Sequence, residues 1–345
     1  VDRPLVSLVI PAYNEADLIE RSLRTILAHL ATLEDRFEFE VLVVDDGSTD
    51  DTAAIAQQVA DTDRRVSVLR HRQNFDLGAA LQYGFGISRG DYVVAFDADL
   101  TYSPDHIDKM LDTITSTGAK IVIASPYMEG GRTIAIPKVR ELLSRGANKF
   151  LSFAHGGNFK TMTGMVRAYD GPFIRTLDVK AVGPDINTEI IRKAKIMRAK
   201  MVEIPAVLDW TEITSVRGGR GNRGRLYWNT AQSIVSGFLF RPYAFFFVPG
   251  LLAALTAVGL GGWALVLTIR AAGDHRDIFA AAAHAYSVWP LVFLGCAVAT
   301  IVAVQLISVS VTTFQTKRYS EELFHLGMTI RRAQSNEPEL QKRYR

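Results

Sequence analysis

The chain has 345 residues, 48% of them apolar and 22% charged, with a net charge of +3. That length predicts two regions, and a mean hydropathy of +0.11 is high for a water-soluble enzyme. The mild charge and the absence of an aromatic–basic strip speak against nucleic acid as a partner, while one cysteine, Cys296, excludes an internal disulfide and a cysteine-based zinc site.

From Leu5 to Ala124, short apolar runs alternate with stretches of helical spacing. The strands predicted are Leu5–Ile10, Phe39–Val44, Val66–Leu69, Tyr92–Phe96 and Lys120–Ala124, and the helices are Glu15–Thr32, Asp50–Ala60, Leu77–Ser88 and Pro104–Ser116. Leu5–Ile10 is too short for the core of a signal peptide. Alternation of this kind predicts an α/β fold with a doubly wound, mostly parallel sheet. Sheets of that type bind ligands at the carboxyl ends of their strands. Three polar clusters fall there: Pro11-Ala12-Tyr13-Asn14-Glu15, Asp45-Asp46-Gly47-Ser48-Thr49-Asp50, and Asp97-Ala98-Asp99. Two carboxylates at the mouth of a buried strand are costly unless paired. A divalent cation pairs them, and Mg²⁺ or Mn²⁺ in such a shell commonly shares it with substrate phosphates. Asp46 offers an acceptor to a base N–H or a ribose hydroxyl, and Tyr13 a ring to stack on a base. A solvated turn at Asp97–Asp99 and a helix cap at Asp50 are the competing readings.

Beyond Ser125 the pattern is less regular. Arg140, Ser144 and Asn148 recur every four residues and share a helix face, which suits a phosphate or plain solvent. Glu189 opens a helix rich in Arg and Lys, read most simply as a solvated or membrane-facing surface. His71 and His155 read as surface or loop residues. Arg217–Arg225 is too rich in Gly and Arg to bury a core; it reads as a loop that clamps phosphate, lies on anionic lipid, or merely links.

Leu226–Phe240 has the spacing of a helix lying in a membrane interface. Ala244–Ile269 and Val288–Phe314 carry no charge and are long enough to cross a bilayer core of ~30 Å. Basic residues before the first span and after the second predict a multi-pass protein of the cell membrane with both termini and the catalytic domain on the cytoplasmic side. The organisation expected is a catalytic domain over 1–215, a basic loop and interfacial helix over 216–243, a two-helix transmembrane hairpin over 244–314 and a charged tail over 315–345. A homo-oligomer is compatible with packing of such spans.

Taken together, these motifs resemble the family 2 glycosyltransferases, in particular the dolichol-phosphate mannose synthase-like polyprenyl-phosphate glycosyltransferases. The residues carrying the resemblance are Pro11–Glu15, Val44–Asp50, Asn74 with Gly78, Asp97–Leu100, Arg140 with Ser144, and Thr163-Gly164 with Arg167–Tyr169. The resemblance implies a GT-A fold, Rossmann-like with a mostly parallel sheet, and a metal-dependent, inverting sugar transfer. The acceptor would be a polyprenyl monophosphate, dolichyl or decaprenyl/undecaprenyl, and the donor a UDP- or GDP-linked sugar. Pro11, Tyr13, Glu15, Asp46 and Asp97 would hold the nucleotide sugar, with Asp97 and Asp99 as the catalytic, metal-binding pair. Arg140 and Ser144 would bind the acceptor phosphate. Three departures stand out: Thr101 where the family often has Gln, Ala124-Ser125-Pro126 where it often has Gly-Ser-Arg, and the Arg/Gly stretch in place of its usual basic loop. Arg217 or Arg220 is expected to supply the missing positive charge. A processive polysaccharide synthase and a non-catalytic membrane-anchored nucleotide-sugar scaffold are the alternatives; the first needs more spans and a Gln-x-x-Arg-Trp motif that this chain lacks.

Overall fold

The structure is a computed structural model that describes residues 3–154, 159–211, 242–273 and 277–343. It divides into two units, 1–237 with 331–345, and 238–330.

In the first unit, strands β1 (Leu5–Ala12), β2 (Glu38–Asp45), β3 (Val66–Arg70), β4 (Tyr92–Ala95), β5 (Ile121–Ser125), β7 (Arg167–Asp170) and β8 (Met201–Pro205) form one sheet in the order β3-β2-β1-β4-β7-β5-β8. Helices α1 (Ile19–Ala31), α2 (Thr52–Thr62), α3 (Leu77–Ile87) and α4 (Asp105–Thr117) connect the strands. All five strands and four helices expected in this half are present. The burial pattern explains why the sheet is wound on both faces. Val6, Leu8 and Ile10 of β1 join Ile19, Leu23, Ile26 and Leu30 of α1 in one core. The intervening Val9 packs under α3, close enough to Gly84 that an added Cβ there would lie 2.3 Å from it. Strands covered on both sides read as continuous apolar runs, as β1 and β2 do.

The sheet is mostly parallel, as expected, with one strand set against the others. β7 runs antiparallel to both β4 and β5, and places a fully buried arginine, Arg167, in the middle of the sheet. A four-residue strand with an internal arginine carries no period that marks it as central. What makes it tolerable is the pairing of its guanidinium: Nη1 donates to the Asn187 carbonyl at 2.7 Å and Nη2 to the Met162 carbonyl at 2.8 Å. Two short strands, β6 (Arg132–Ile134) and β9 (Val207–Asp209), pair separately, and helices α5 (Lys138–Ala154), α6 (Gly171–Thr176) and α7 (Ile186–Ile196) complete the unit. The basic run on α7 is not wholly solvated as expected. Lys193 is buried against Glu189 at 2.7 Å, whose other oxygen accepts from the Lys180 and Ala181 amides.

The second unit is helical: α8 (Pro242–Ala272), α9 (Ile278–Val288) and the part of α10 (Pro290–Arg343) up to residue 330. Phe246–Ala272 and Pro290–Thr316 are each long and apolar enough to cross a membrane, with only 6% of the most apolar window of each buried within the chain. The two helices approach closely at Gly250, where a Cβ would meet Leu306 and Ile307 at 3.0–3.3 Å, the kind of contact that small residues permit between apolar helices. The expected interfacial helix over Leu226–Phe240 lies outside the described residues.

Candidate functional site

The strand order reverses beside β1. The chain moves outward through β2 and β3, then returns to place β4 on the other side. The crevice at that switch point is the favoured ligand position in such sheets, and the polar clusters following β1, β2 and β4 all open there.

Two of these clusters are stapled together. Asn14, at φ +55°, donates its backbone N–H to Ser48 Oγ at 3.0 Å and accepts the Thr49 N–H on Oδ1 at 2.9 Å. The Glu15 N–H donates to Thr52 Oγ1 at 2.8 Å and the Ala16 N–H to Asp50 Oδ2 at 3.2 Å. Asp50 also takes the Thr52 N–H at 3.0 Å, so it caps the start of the helix and braces the neighbouring loop at once. Gly47 sits at φ +69° with a would-be Cβ 2.3 Å from the Gln73 backbone. Only glycine fits such a position, where left-handed backbone meets a second chain segment.

The paired aspartates divide their work. Asp45 is fully buried and ion-paired with Arg70 Nε at 3.1 Å; it holds structure. Asp46 faces a cavity of about 400 Å³ lined by Pro11, Ala12, Tyr13, Asn14, Glu15 and Asp46 together with Asn74, Asp76, Leu77 and Ala80. Pro11, Tyr13, Glu15 and Asp46 thus come together in one hollow. Three residues there have no counterpart in the sequence reading. Asp76 stands at φ +77° and caps α3 by accepting the Leu77 N–H at 2.9 Å; its backbone strain was the feature to look for, and sequence does not display it. Leu77 and Ala80 form the apolar wall, placed there because Gly78 beneath them presses on the 181–182 carbonyls.

His71 lies in the loop between β3 and α3, as expected, but its side chain is turned into the fold and not out to the surface. Its Nδ1 lies 2.7 Å from Asp46 Oδ1. Its ring centroid is 5.4 Å from Phe75 and 5.2 Å from Tyr83. His155 lies outside the described residues.

Asp97 and Asp99 follow β4 in a turn closed by the Thr101 N–H on Asp99 Oδ1 at 3.0 Å. Burial pushes the Asp97 carboxyl well above the ordinary carboxylate value, and the charges of Asp99 and Glu15 push it further. Glu15 therefore links the nucleotide-sized cavity to the Asp97–Asp99 turn. Three acidic groups converge with no opposing Lys or Arg on Asp97 among the described residues. That donor set fits a divalent cation: hard oxygens, excess negative charge, and too few protein ligands to complete a shell. No group of three or more His, Cys, Asp or Glu side chains is arranged to hold a metal among the described residues, so these carboxylates form at most a partial shell.

Behind the turn, Tyr102 is buried with its phenol pushed upward by burial first and by Asp97 next, and Tyr127 and Arg167 are also among its electrostatic neighbours. Tyr127 in turn donates its hydroxyl to Ser144 Oγ at 2.7 Å, and Arg145 stacks over its ring at 5.4 Å. Ser144 is thus tied to the neighbourhood of the acidic turn through two tyrosines. Asn148, on the same face of α5, is buried instead of solvated. Its Oδ1 accepts the Met162 and Thr163 amides at 2.7 and 3.1 Å. Arg140 belongs to α5 by its backbone; its side chain, like Arg217 and Arg220 entirely, lies outside the described residues.

Comparison with known proteins agrees with this geometry. The model of the family described as "Glycosyl transferase family 2" matches residues 7–176. A polyprenol monophosphomannose synthase from Mycolicibacterium smegmatis is 34% identical over 51% of this chain and 65% of its own length, so the chain spans less than two thirds of that relative. An undecaprenyl-phosphate mannosyltransferase from Micrococcus luteus is 30% identical over 58% of this chain and 82% of its own length. Among solved structures, glucosyl-3-phosphoglycerate synthase from Mycobacterium tuberculosis, in complex with Mn²⁺, UDP and phosphoglyceric acid, superposes with a TM-score of 0.52 at 21% identity. It covers 68% of this chain and 78% of that one, a likeness of fold. Sheet order, the stapled loops at the switch point and the matched residues lead to one assignment: the chain belongs to glycosyl transferase family 2 and has its GT-A-type, mostly parallel α/β domain.

Proposed function

We propose that this protein transfers a sugar, with inversion, from a nucleoside diphosphate sugar to a polyprenyl monophosphate. The observation that carries the reading is the meeting of Pro11, Tyr13, Glu15 and Asp46 in one cavity whose Glu15 acts electrostatically on Asp97. The names of the Mycolicibacterium and Micrococcus relatives support the lipid-phosphate acceptor.

In this reading Tyr13 and Asp46 bind the nucleoside, and Asp97 and Asp99 hold Mg²⁺ or Mn²⁺ against the donor diphosphate. The Mn²⁺ in the Mycobacterium tuberculosis synthase supports a divalent ion. When bound, the cation neutralises charge on the departing nucleoside diphosphate. Ser144, with its oxygen already accepting from Tyr127, directs its own proton outward to an acceptor phosphate, and Arg140, Arg217 and Arg220 add positive charge there. The acceptor oxygen is anionic near neutral pH, so no residue has to remove a proton from it. It forms the new bond to the anomeric carbon as the bond to the diphosphate breaks, and the nucleoside diphosphate leaves. The bilayer is a partner through the spans at Phe246–Ala272 and Pro290–Thr316, with the catalytic domain over 1–215, the interfacial segment over 216–243, the hairpin over 244–314 and the tail over 315–345. The charge bias of the flanking segments supports a cytoplasmic side for the catalytic domain and both termini.

The test uses the full chain in membranes with radiolabelled UDP- and GDP-sugars, followed by chloroform extraction. Label in an acid-labile lipid phosphate supports the proposal. Label in polymer, or none in lipid with any donor, refutes it. Asp99→Ala is expected to abolish transfer while leaving the protein in the membrane fraction; a variant with most of its activity removes the metal role.

A further inference from the structure

Asp46 is the one carboxylate that the sequence placed on the nucleoside, and the structure shows how many of its hydrogen-bonding sites remain open. A carboxylate only accepts, so the 2.7 Å contact requires the proton on His71 Nδ1, donating to Asp46 Oδ1. The Phe75 backbone N–H donates to the same oxygen at 3.0 Å. Two donors fill the two lone pairs of Oδ1. Oδ2 has no hydrogen-bond partner among the described residues. The carboxylate cannot turn to exchange its oxygens freely, because it is 5% exposed and His71 14% exposed. His71 itself is held by Phe75 on its edge and Tyr83 across its face. Of the two other acids on the cavity wall, Asp76 spends Oδ1 on its own helix cap, and Glu15 acts electrostatically on Asp97.

A reader with a single free oxygen distinguishes the two bases that the proposed function leaves open. Guanine presents two adjacent N–H groups, N1 and N2, a pattern matched by both oxygens of one carboxylate in a bidentate pair. Uracil presents one, N3–H, between two carbonyl oxygens. Seating guanine against Asp46 as His71 and Phe75 hold it leaves one base N–H without an acceptor on that carboxylate. A buried donor left unpaired is the strongest form of discrimination such a pocket has. We propose that His71 is a positioning residue that makes Asp46 a single-acceptor base reader, and that the donor it selects is a uridine diphosphate sugar over a guanosine diphosphate sugar. This rests on the nucleotide-sugar reading above and narrows it to one class of donor.

The experiment is calorimetric titration of the full-length protein in detergent with UDP and with GDP, each with MnCl₂, for the wild type, His71→Ala and His71→Asn. UDP is expected to bind the wild type about tenfold more tightly than GDP, the cost of roughly one unmade hydrogen bond. In His71→Ala, Oδ1 regains an open site and the ratio of the two constants falls towards one. In His71→Asn the amide N–H replaces Nδ1–H and the ratio is retained, an outcome that loss of bulk or loosened packing would not produce. Equal or tighter binding of GDP by the wild type overturns the proposal, as does an unmoved ratio in a folded His71→Ala. If neither nucleotide binds, the nucleotide-sugar reading falls with it; if both bind alike, that reading stands and this one alone is lost.

Discussion

Asn148→Ala separates a residue that binds substrate from one that builds the site. Asn148 is 1% exposed, and its Oδ1 is the acceptor for the Met162 N–H at 2.7 Å and the Thr163 N–H at 3.1 Å, with the Thr163 hydroxyl at 3.3 Å. Met162 is fully buried, so its amide has no water to turn to once the acceptor is gone. An orphaned buried donor costs about 1–3 kcal/mol, and the half-buried Thr163 amide adds about 0.5–1.5 kcal/mol. The Nδ2 donor counts for little, since its acceptor, the Ser144 carbonyl, already serves the helix. The local loss is therefore about 1.5–4.5 kcal/mol, or at least about tenfold in the opening equilibrium of the 160–164 segment. Hydrogen–deuterium exchange of the full chain in detergent, read on a peptide covering Met162 and Thr163, reports this directly. Faster exchange there, with the β1–β2 peptides unchanged, is the expected result. Exchange accelerated less than about fivefold would refute the assignment of Asn148 as the pin of this loop.

Tyr127→Phe deletes a hydroxyl that donates to Ser144 Oγ at 2.7 Å and keeps the ring under Arg145. Loss of a neutral hydrogen bond of about 1 kcal/mol is expected to raise KM for a short-chain polyprenyl phosphate about fivefold, with the UDP binding constant unmoved. A change in nucleotide binding instead would assign Tyr127 to the donor side. Glu40 offers a test with acid. Burial alone would raise its carboxyl, but hydrogen bonds from Ser7 Oγ at 2.6 Å and from the Arg89 amide and guanidinium outweigh that and hold it below its ordinary value. A depressed carboxyl contributes stability that is complete above its unfolded value near 4.5 and is lost as pH falls through the lower folded value. Thermal midpoints of the wild type are therefore expected to drop more steeply below pH 4.5 than those of Glu40→Gln, which lacks this titration; parallel curves would contradict it.

The first half of the chain was legible because its periods are strong. β1 and β2 are apolar runs of the length and composition of strands buried on both faces, and Ile19, Leu23, Ile26 and Leu30 of α1 repeat at helical spacing. That Pro11, Tyr13, Glu15 and Asp46 line one cavity was legible for a related reason: each stands at or just beyond the end of a strand, and parallel sheets gather their strand ends at one edge. The two long apolar helices needed nothing beyond length and absence of charge to be read. β7 was not legible, since four residues around a buried arginine have no period, and its antiparallel insertion depends on carbonyls from Met162 and Asn187 that only the folded chain presents.

What the sequence determined by itself is therefore local and periodic: where strands end, which acids stand at those ends, and which helices are long and apolar enough to cross a membrane. What only the tertiary structure decided is how polar groups distant in the chain complete one another. Asp45 and Asp46 are adjacent and chemically identical, yet Arg70 claims one, while His71 and Phe75 half-saturate the other and leave it facing a cavity. Hydrogen-bond saturation belongs to pairs of groups brought together by the fold, and no spacing along the chain encodes which pairs those are.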